Sequence, residues 1–199
     1  MSTIGAECVT SSHDSTDADI GARIRTERLE RGWSLTDLAE RSGVSRAMIN
    51  KVERGESSPT ASLLGRLSGA FGFTLSVLLA RAEGVRGGRL ARAADQPRWQ
   101  DPASGYIRRQ ISPVQGSGIR LDLVHVALPP GASVAFPASS YAFMRQVILV
   151  LGGHLTFIEG DVVHELGVED CLELGSPADC TFRNETDADC TYLVAVVPR

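Results

Sequence analysis

No apolar run in the chain approaches the roughly 18 residues needed to cross a bilayer. The first segment, MSTIGAECVTSSHDSTDADI, has neither a basic start nor an apolar stretch, so no secretory signal is expected there. The expected compartment is the cytoplasm, with no membrane partner. CxxC pairs are also missing. Cys8, Cys171, Cys180 and Cys190 are scattered, and in the cytoplasm they are expected to be reduced thiols. Lysine is nearly absent, and Lys51 is the only one. Against these absences, 43% of the 199 residues are hydrophobic, enough to bury a real core. The 22% share of charged residues excludes disorder over the whole length.

The formal net charge of −4 argues against a nucleic-acid partner only if charge is evenly spread. It is not. Residues 1–18 carry −3, residues 19–81 carry +3, residues 82–103 carry +1, and residues 104–199 carry −5. A basic N-terminal module is joined to an acidic C-terminal one. That asymmetry is a cue for a nucleic-acid-binding piece fused to a second unit.

The periodicity changes along the chain in step with the charge. Residues 1–18 are rich in Ser, Thr and Asp without periodicity, and read as a disordered tail. From Asp19 the pattern is helical, with Ile20, Ile24 and Leu29 near helical spacing. Ser34 is a good N-cap, with Asp37 in the capping-box position. Gly43 stops that helix, Ser45 caps the next, and Gly55 ends it. Pro59 and Thr60 open a fourth helix, and a fifth starts near Thr74. Residues 19–81 are therefore expected to be five short helices. Residues 82–103 are rich in Gly, Ala and Arg at their start and read as a linker. From Tyr106 the period is two, and Gly and Pro clusters separate the runs. The expected fold class is α+β with two domains, an all-α head followed by an all-β barrel or sandwich over residues 104–199.

Residues 34–55, SLTDLAERSGVSRAMINKVERG, have helix-turn-helix spacing. Ala39 suits a close helix crossing, and Gly43 permits the positive φ of a tight turn. Val44, Ile49 and Val52 form an apolar face that holds the second helix against the first. Its other face offers Ser45, Arg46, Ala47, Asn50 and Lys51 toward base edges in a major groove. Arg46 is the best base reader, Asn50 suits adenine or water, Lys51 suits phosphate, and Ser45 is a cap before it is a phosphate donor.

Residues 24–79 resemble the Cro/C1-type (xenobiotic-response-element) helix-turn-helix family. The stretch RLERGWSLTDLAERSG through VERG, and the Pro-Thr that opens the next helix, carry the resemblance. It implies a double-stranded DNA operator as partner. It also implies that Arg28 and Glu53 pair as a structural bridge between helices. The family usually has Gln just after the first motif cap, where this chain has Leu35. Thr36 or a backbone amide of that helix is then expected to meet phosphate.

Residues 129–184 resemble a cupin. Gly131 fits the first motif, Gly153 follows Gln146 by seven residues, and Asn184 follows Cys180 by four. The resemblance implies a ligand set of two His, one Glu and one His. Those places hold Ser139, Tyr141, Gln146 and Cys180, which do not make a comparable transition-metal site. No metal and no cofactor is expected, and the chain is not expected to be an enzyme. A polar, aromatic cavity remains, with Ser139, Tyr141, Gln146 and Cys180 as candidates to hold an unidentified small-molecule effector. RWQDPASGYIRR, in and after the linker, also looks like regulators with this two-domain layout. Together these features imply a DNA-binding, homodimeric transcriptional regulator. The rivals are a cupin enzyme with an accessory DNA-binding head, and an antitoxin or scaffold without an effector.

Overall fold

A computed structural model describes residues 11–84, 88–113 and 121–198. Cys8 lies outside the described residues. Five helices come first: α1 (Ser11–Glu30), α2 (Leu35–Ser42), α3 (Arg46–Glu53), α4 (Ala61–Phe71) and α5 (Leu75–Ala82). Their starts follow local chemistry. Ser34, Ser45, Thr60 and Thr74 each accept a hydrogen bond from the backbone amide three residues on. Ser34 and Asp37 complete a reciprocal capping box. Gly43 ends α2 at a φ of 67°, where a side chain would be strained.

Ile20, Ile24, Leu38, Ile49, Val52, Leu64, Leu67 and Leu78 are fully buried and make the core of the head. Arg28 bridges α1 to α3 by gripping Glu53 with two hydrogen bonds of 2.7 Å. A second polar knot lies under α1. The carboxylate of Glu27, 1% exposed, receives Arg23, Arg31 and Arg81. Burial alone would raise this carboxyl, but the three guanidinium hydrogen bonds hold it at about 2.

α1 starts earlier than the sequence suggests. Residues 11–18, expected in a disordered tail, are its first turns. The extension has a docking site: Ala18 lies against Gly55, and Asp17 accepts a hydrogen bond from Ser58.

Ten strands follow among the described residues: β1 (Arg98–Gln100), β2 (Ile107–Gln110), β3 (Asp122–Leu128), β4 (Ser133–Phe136), β5 (Met144–Gly152), β6 (Leu155–Glu159), β7 (Val162–Leu166), β8 (Cys171–Glu173), β9 (Cys180–Arg183) and β10 (Cys190–Pro198). They form two antiparallel sheets, ordered β1-β2-β3-β10-β5-β8 and β4-β9-β6-β7. Residues facing the space between the sheets alternate with outward ones, as in β5, where Met144, Gln146, Ile148 and Val150 are buried. In the interior Phe182 stacks on Tyr192 with ring centroids 5.7 Å apart and meets Phe157 at a tilt, 4.8 Å away. Asn184, fully buried, donates to the carbonyls of Leu128, Pro129 and Ala188 and so staples the loop before β10 to the end of β3. The architecture is α+β with two domains.

The end of the expected 82–103 linker is not a free tether. Arg98, Trp99 and Gln100 pair with Arg109, Arg108 and Ile107 as an edge strand, and Trp99 is buried. Asp101 is buried as well, and its carboxylate accepts the Ala61 amide of α4 at 2.8 Å. An acidic side chain at that helix N-terminus satisfies a backbone donor with no intrahelical partner. The segment thus fixes the head to the sheets. The indole of Trp99 and the carboxylate of Asp101 are what the Gly- and Ala-rich stretch before them conceals.

Candidate functional site

Two places in the fold gather chemistry. The first is the outer face of α3. Ile49 and Val52 are buried, and Val44 is buried in the turn before the helix. That packing turns Ser45, Arg46, Ala47, Asn50 and Lys51 to solvent on one side of the helix. Thr36 is exposed in the first turn of α2. The Ser45 oxygen accepts the Met48 amide at 3.3 Å, which leaves its proton to donate. Among the described residues no carboxylate pairs with Arg46 or Lys51. The two cations are therefore unspent. Convex placement at a helix start, free cations and a small Ala47 suit insertion into a groove about 12 Å wide.

The second place is where the head meets the sheets. A cavity of about 50 Å³ lies between them. The head contributes Gly65 and Ser68 from α4 and Thr74 and Leu75 from the start of α5. The sheets contribute Tyr106, Arg108, Phe136, Ser140, Tyr141, Gln146 and Tyr192, among others. The helix comes this close because α4 carries glycines one turn apart. A Cβ on Gly65 would lie 2.6 Å from the Phe136 ring, and one on Gly69 would lie 3.1 Å from the Ser139 carbonyl oxygen. Polar ties cross the junction too. Thr74 donates to Asp122 at 2.8 Å, and Arg108 donates to Ser76.

The expected pocket residues divide. Tyr141 and Gln146 are buried and line the cavity. Ser139 does not: it is exposed, and its neighbour Ser140 turns inward instead. The cause is the single 3-10 turn Ala138–Ser140, which rotates each residue by about a third of a turn. Cys180 sits behind the cavity, in a cleft of about 10 Å³ that Tyr141 and Gln146 also border. Burial, with Glu159 and Asp179 adding to it, pushes its thiol up to about 12. A thiol held that high stays protonated, which does not suit a redox sensor. Burial also places the Tyr141 and Tyr192 hydroxyls well above the ordinary tyrosine value, so both remain neutral donors. Gln146 donates to the Met144 sulfur at 3.0 Å. Among the described residues, no three His, Cys, Asp or Glu side chains gather as a metal site.

Sequence reasoning missed Arg108, Tyr106 and the roof formed by α4. Two signals were available. Gly65 and Gly69 lie one turn apart on an otherwise apolar helix, and RWQDPASGYIRR holds Trp99, Asp101, Tyr106 and Arg108 together.

Residues 24–78 match the helix-turn-helix family HTH_3. The HTH-type transcriptional regulator SutR of Escherichia coli (strain K12) is 45% identical over 49 residues, covering 25% of this chain and 28% of that protein. The HTH-type transcriptional regulator SinR of Bacillus subtilis (strain 168) is 34% identical over 61 residues, 30% of this chain and 55% of that protein. The chain thus spans between about a quarter and about half the length of these relatives. The fold is similar to that of an HTH_3 family transcriptional regulator from Vibrio cholerae. The TM-score is 0.77, over 94% of this chain and 99% of that one, at 20% identity. No single helix among the described residues is long and apolar enough to cross a membrane. The segment that matches this family, residues 24–78, coincides with α2, α3 and the helices that support them, and is joined in one chain to a two-sheet β domain.

Proposed function

We propose that the chain is a sequence-specific, DNA-binding transcriptional regulator whose cupin-like β domain senses a small molecule and dimerises. The observation that carries the DNA-binding half is the exposed face of α3. Ser45, Arg46, Ala47, Asn50 and Lys51 project from a helix held by Ile49 and Val52. Arg46 reads a guanine edge, Asn50 faces an adenine, and Lys51, Ser45 and Thr36 meet phosphates. The head's modest +3 makes placed side chains and helix N-termini matter more than bulk charge. The acidic β domain, at −5, is repelled from the duplex and hangs away from it. Such a protein works where chromosomal DNA lies, in the cytoplasm.

Two half-sites one DNA turn apart need two recognition helices, so the working unit is a homodimer. The sensing half rests on the cavity's position. An occupant between α4 and the sheets touches both domains and biases the head's placement on the β domain. In the β domain the places of a cupin's ligand set hold Ser139, Tyr141, Gln146 and Cys180, a donor set that suits small-molecule binding better than metal-dependent catalysis.

The test is selection of random duplexes by the purified full chain, followed by gel-shift titration of the enriched site. The reading expects one enriched, two-fold-related motif, bound at least a hundredfold more tightly than random DNA. Equal affinity for all duplexes overturns it. Sedimentation at the same concentrations is expected to give a dimer.

A further inference from the structure

Among the described residues, Arg108 is the only charged side chain lining the interdomain cavity, and no acidic residue lines it. Its guanidinium donates to the hydroxyls of Ser76 and Tyr106, the latter at 3.3 Å. Both partners are neutral. Arg108 Nε is buried without a hydrogen-bond partner, and Arg108 makes no ion pair among the described residues. A half-buried cation that meets only neutral hydroxyls is incompletely compensated. A second signal lies in the same lining. Ser140 is only 7% exposed, and its hydroxyl also lacks a partner. Because Tyr106 accepts from Arg108, its own proton remains free to donate. The cavity therefore has a cationic, donor-rich side and no carboxylate of its own. The lining also has an apolar part that includes Leu75, Phe182 and Val194.

We propose that this cavity binds a short monocarboxylate of two or three carbons, with its carboxylate on Arg108, Ser140 and Tyr106. The charge balance favours one negative charge, because one guanidinium faces the space. A dianion such as phosphate would bury an uncompensated charge. The volume sets the length. A cavity of about 50 Å³ holds about four water-sized groups, the heavy-atom count of acetate, with three-carbon lactate and pyruvate, six heavy atoms each, as the upper limit. The apolar wall receives the carbon end. Arginine suits the task because its planar fork matches a carboxylate and its charge is permanent. The inference rests on the sensor reading above for its consequence, but its chemistry stands on the cavity alone.

The experiment is isothermal titration calorimetry of the full chain with sodium acetate, lactate and pyruvate. Phosphate and neutral acetamide serve as comparisons at matched ionic strength. At least one carboxylate is expected to saturate at one site per chain, at least tenfold more tightly than phosphate or acetamide. Arg108→Gln is expected to weaken it tenfold or more, and Ser140→Ala three- to tenfold. Ser140→Ala decides if Arg108→Gln fails to fold. No saturable carboxylate binding overturns the proposal, as do equal binding of acetamide and undiminished binding by the variants that fold. Gel shifts with and without the bound carboxylate separate the two readings. Carboxylate binding that leaves DNA affinity unchanged removes the sensor role and keeps the site. Specific DNA binding without any carboxylate binding removes the site and keeps the DNA-binding reading.

Discussion

Gly65 of α4 lies directly on the ring of Phe136, at a separation that leaves no room for a methyl group. A Cβ there would stand 2.6 Å from one ring carbon and 2.9 Å from the next. This contact closes the head onto the β domain and forms one side of the interdomain cavity. Two effects oppose each other in Gly65→Ala. Helix propensity favours Ala over Gly by about 1 kcal/mol. Overpacking against an aromatic ring costs about 1–3 kcal/mol. The ring is held edge-on by Tyr141 and Phe182, with centroids at 6.3 and 6.0 Å, so it has little freedom to retreat. The expected outcome is a net loss of stability in urea unfolding monitored by tryptophan fluorescence. A gain would mean that the ring yields and the junction is soft.

Arg28 and Glu53 offer a sharper test of the head. Their side chains are 9% and 5% exposed, and the guanidinium contacts both carboxylate oxygens. Arg28 also donates to the Trp33 carbonyl at 2.9 Å, which ties the pair to the turn before α2. Removing one partner strands the other charge, at a cost of about 3–5 kcal/mol. Arg28→Ala and Glu53→Ala are each expected to lower the melting temperature strongly. Arg28→Met combined with Glu53→Leu is expected to recover much of the loss, because an apolar pair leaves no charge stranded. Additive losses in the double variant would show that the pair acts through something other than mutual compensation.

How much of this was legible in the sequence depends on the range of the interaction. Ser34, Asp37, Gly43 and Ser45 act on backbone groups within four residues, and all of them mark the boundaries the structure has. The alternation in QVILV puts Gln146, Ile148 and Val150 on one face, because side-chain direction in a strand is a local property, but which face is inward is set by the second sheet; the fold buries all three. The strand order was not legible. β10 runs between β3 and β5, a pairing that spans over half of the β domain. Ser139 was misplaced by one residue because a single 3-10 turn changes direction at each step. The Arg108 cavity was hidden for a deeper reason. It exists only once α4 has docked on the sheets, and the residues that make that docking possible are glycines and the Asp101 carboxylate, whose effect lies in what they permit or satisfy at a distance.

Glu27 predicts how the head responds to acid. Its carboxyl is held at about 2 in the folded chain against an ordinary value of 4.5, as three guanidinium groups overcome the burial that would raise it. A depressed folded value contributes stability above pH 4.5 that is lost as pH falls toward 2. The full shift corresponds to about 3 kcal/mol. Stability from denaturant midpoints is therefore expected to decline steadily from pH 5 to below 3. Glu27→Gln is expected to be less stable at pH 7 and to show a shallower decline. A variant whose acid profile parallels that of the parent would show that other carboxylates dominate the transition.

Arg46 tests the proposed recognition face of α3. It is exposed at the first position of α3, without an ion pair among the described residues, so its removal leaves the core untouched. Arg46→Ala is expected to leave the melting temperature within a degree or two of the parent and to cost about 1–3 kcal/mol in binding to the selected operator. The distinction that matters is between base and phosphate. A base contact is lost only on the specific site, and preference relaxes at one base position. A phosphate contact is lost equally on specific and random duplexes, with a shallower salt dependence. Lys51→Gln serves as the comparison, since a phosphate-binding lysine is expected to weaken both duplexes alike. If Arg46→Ala behaves in the same way as Lys51→Gln, guanine reading moves away from Arg46, and Asn50 becomes the remaining base reader on that face. Unchanged affinity and preference in Arg46→Ala would remove α3's leading residue from the interface altogether.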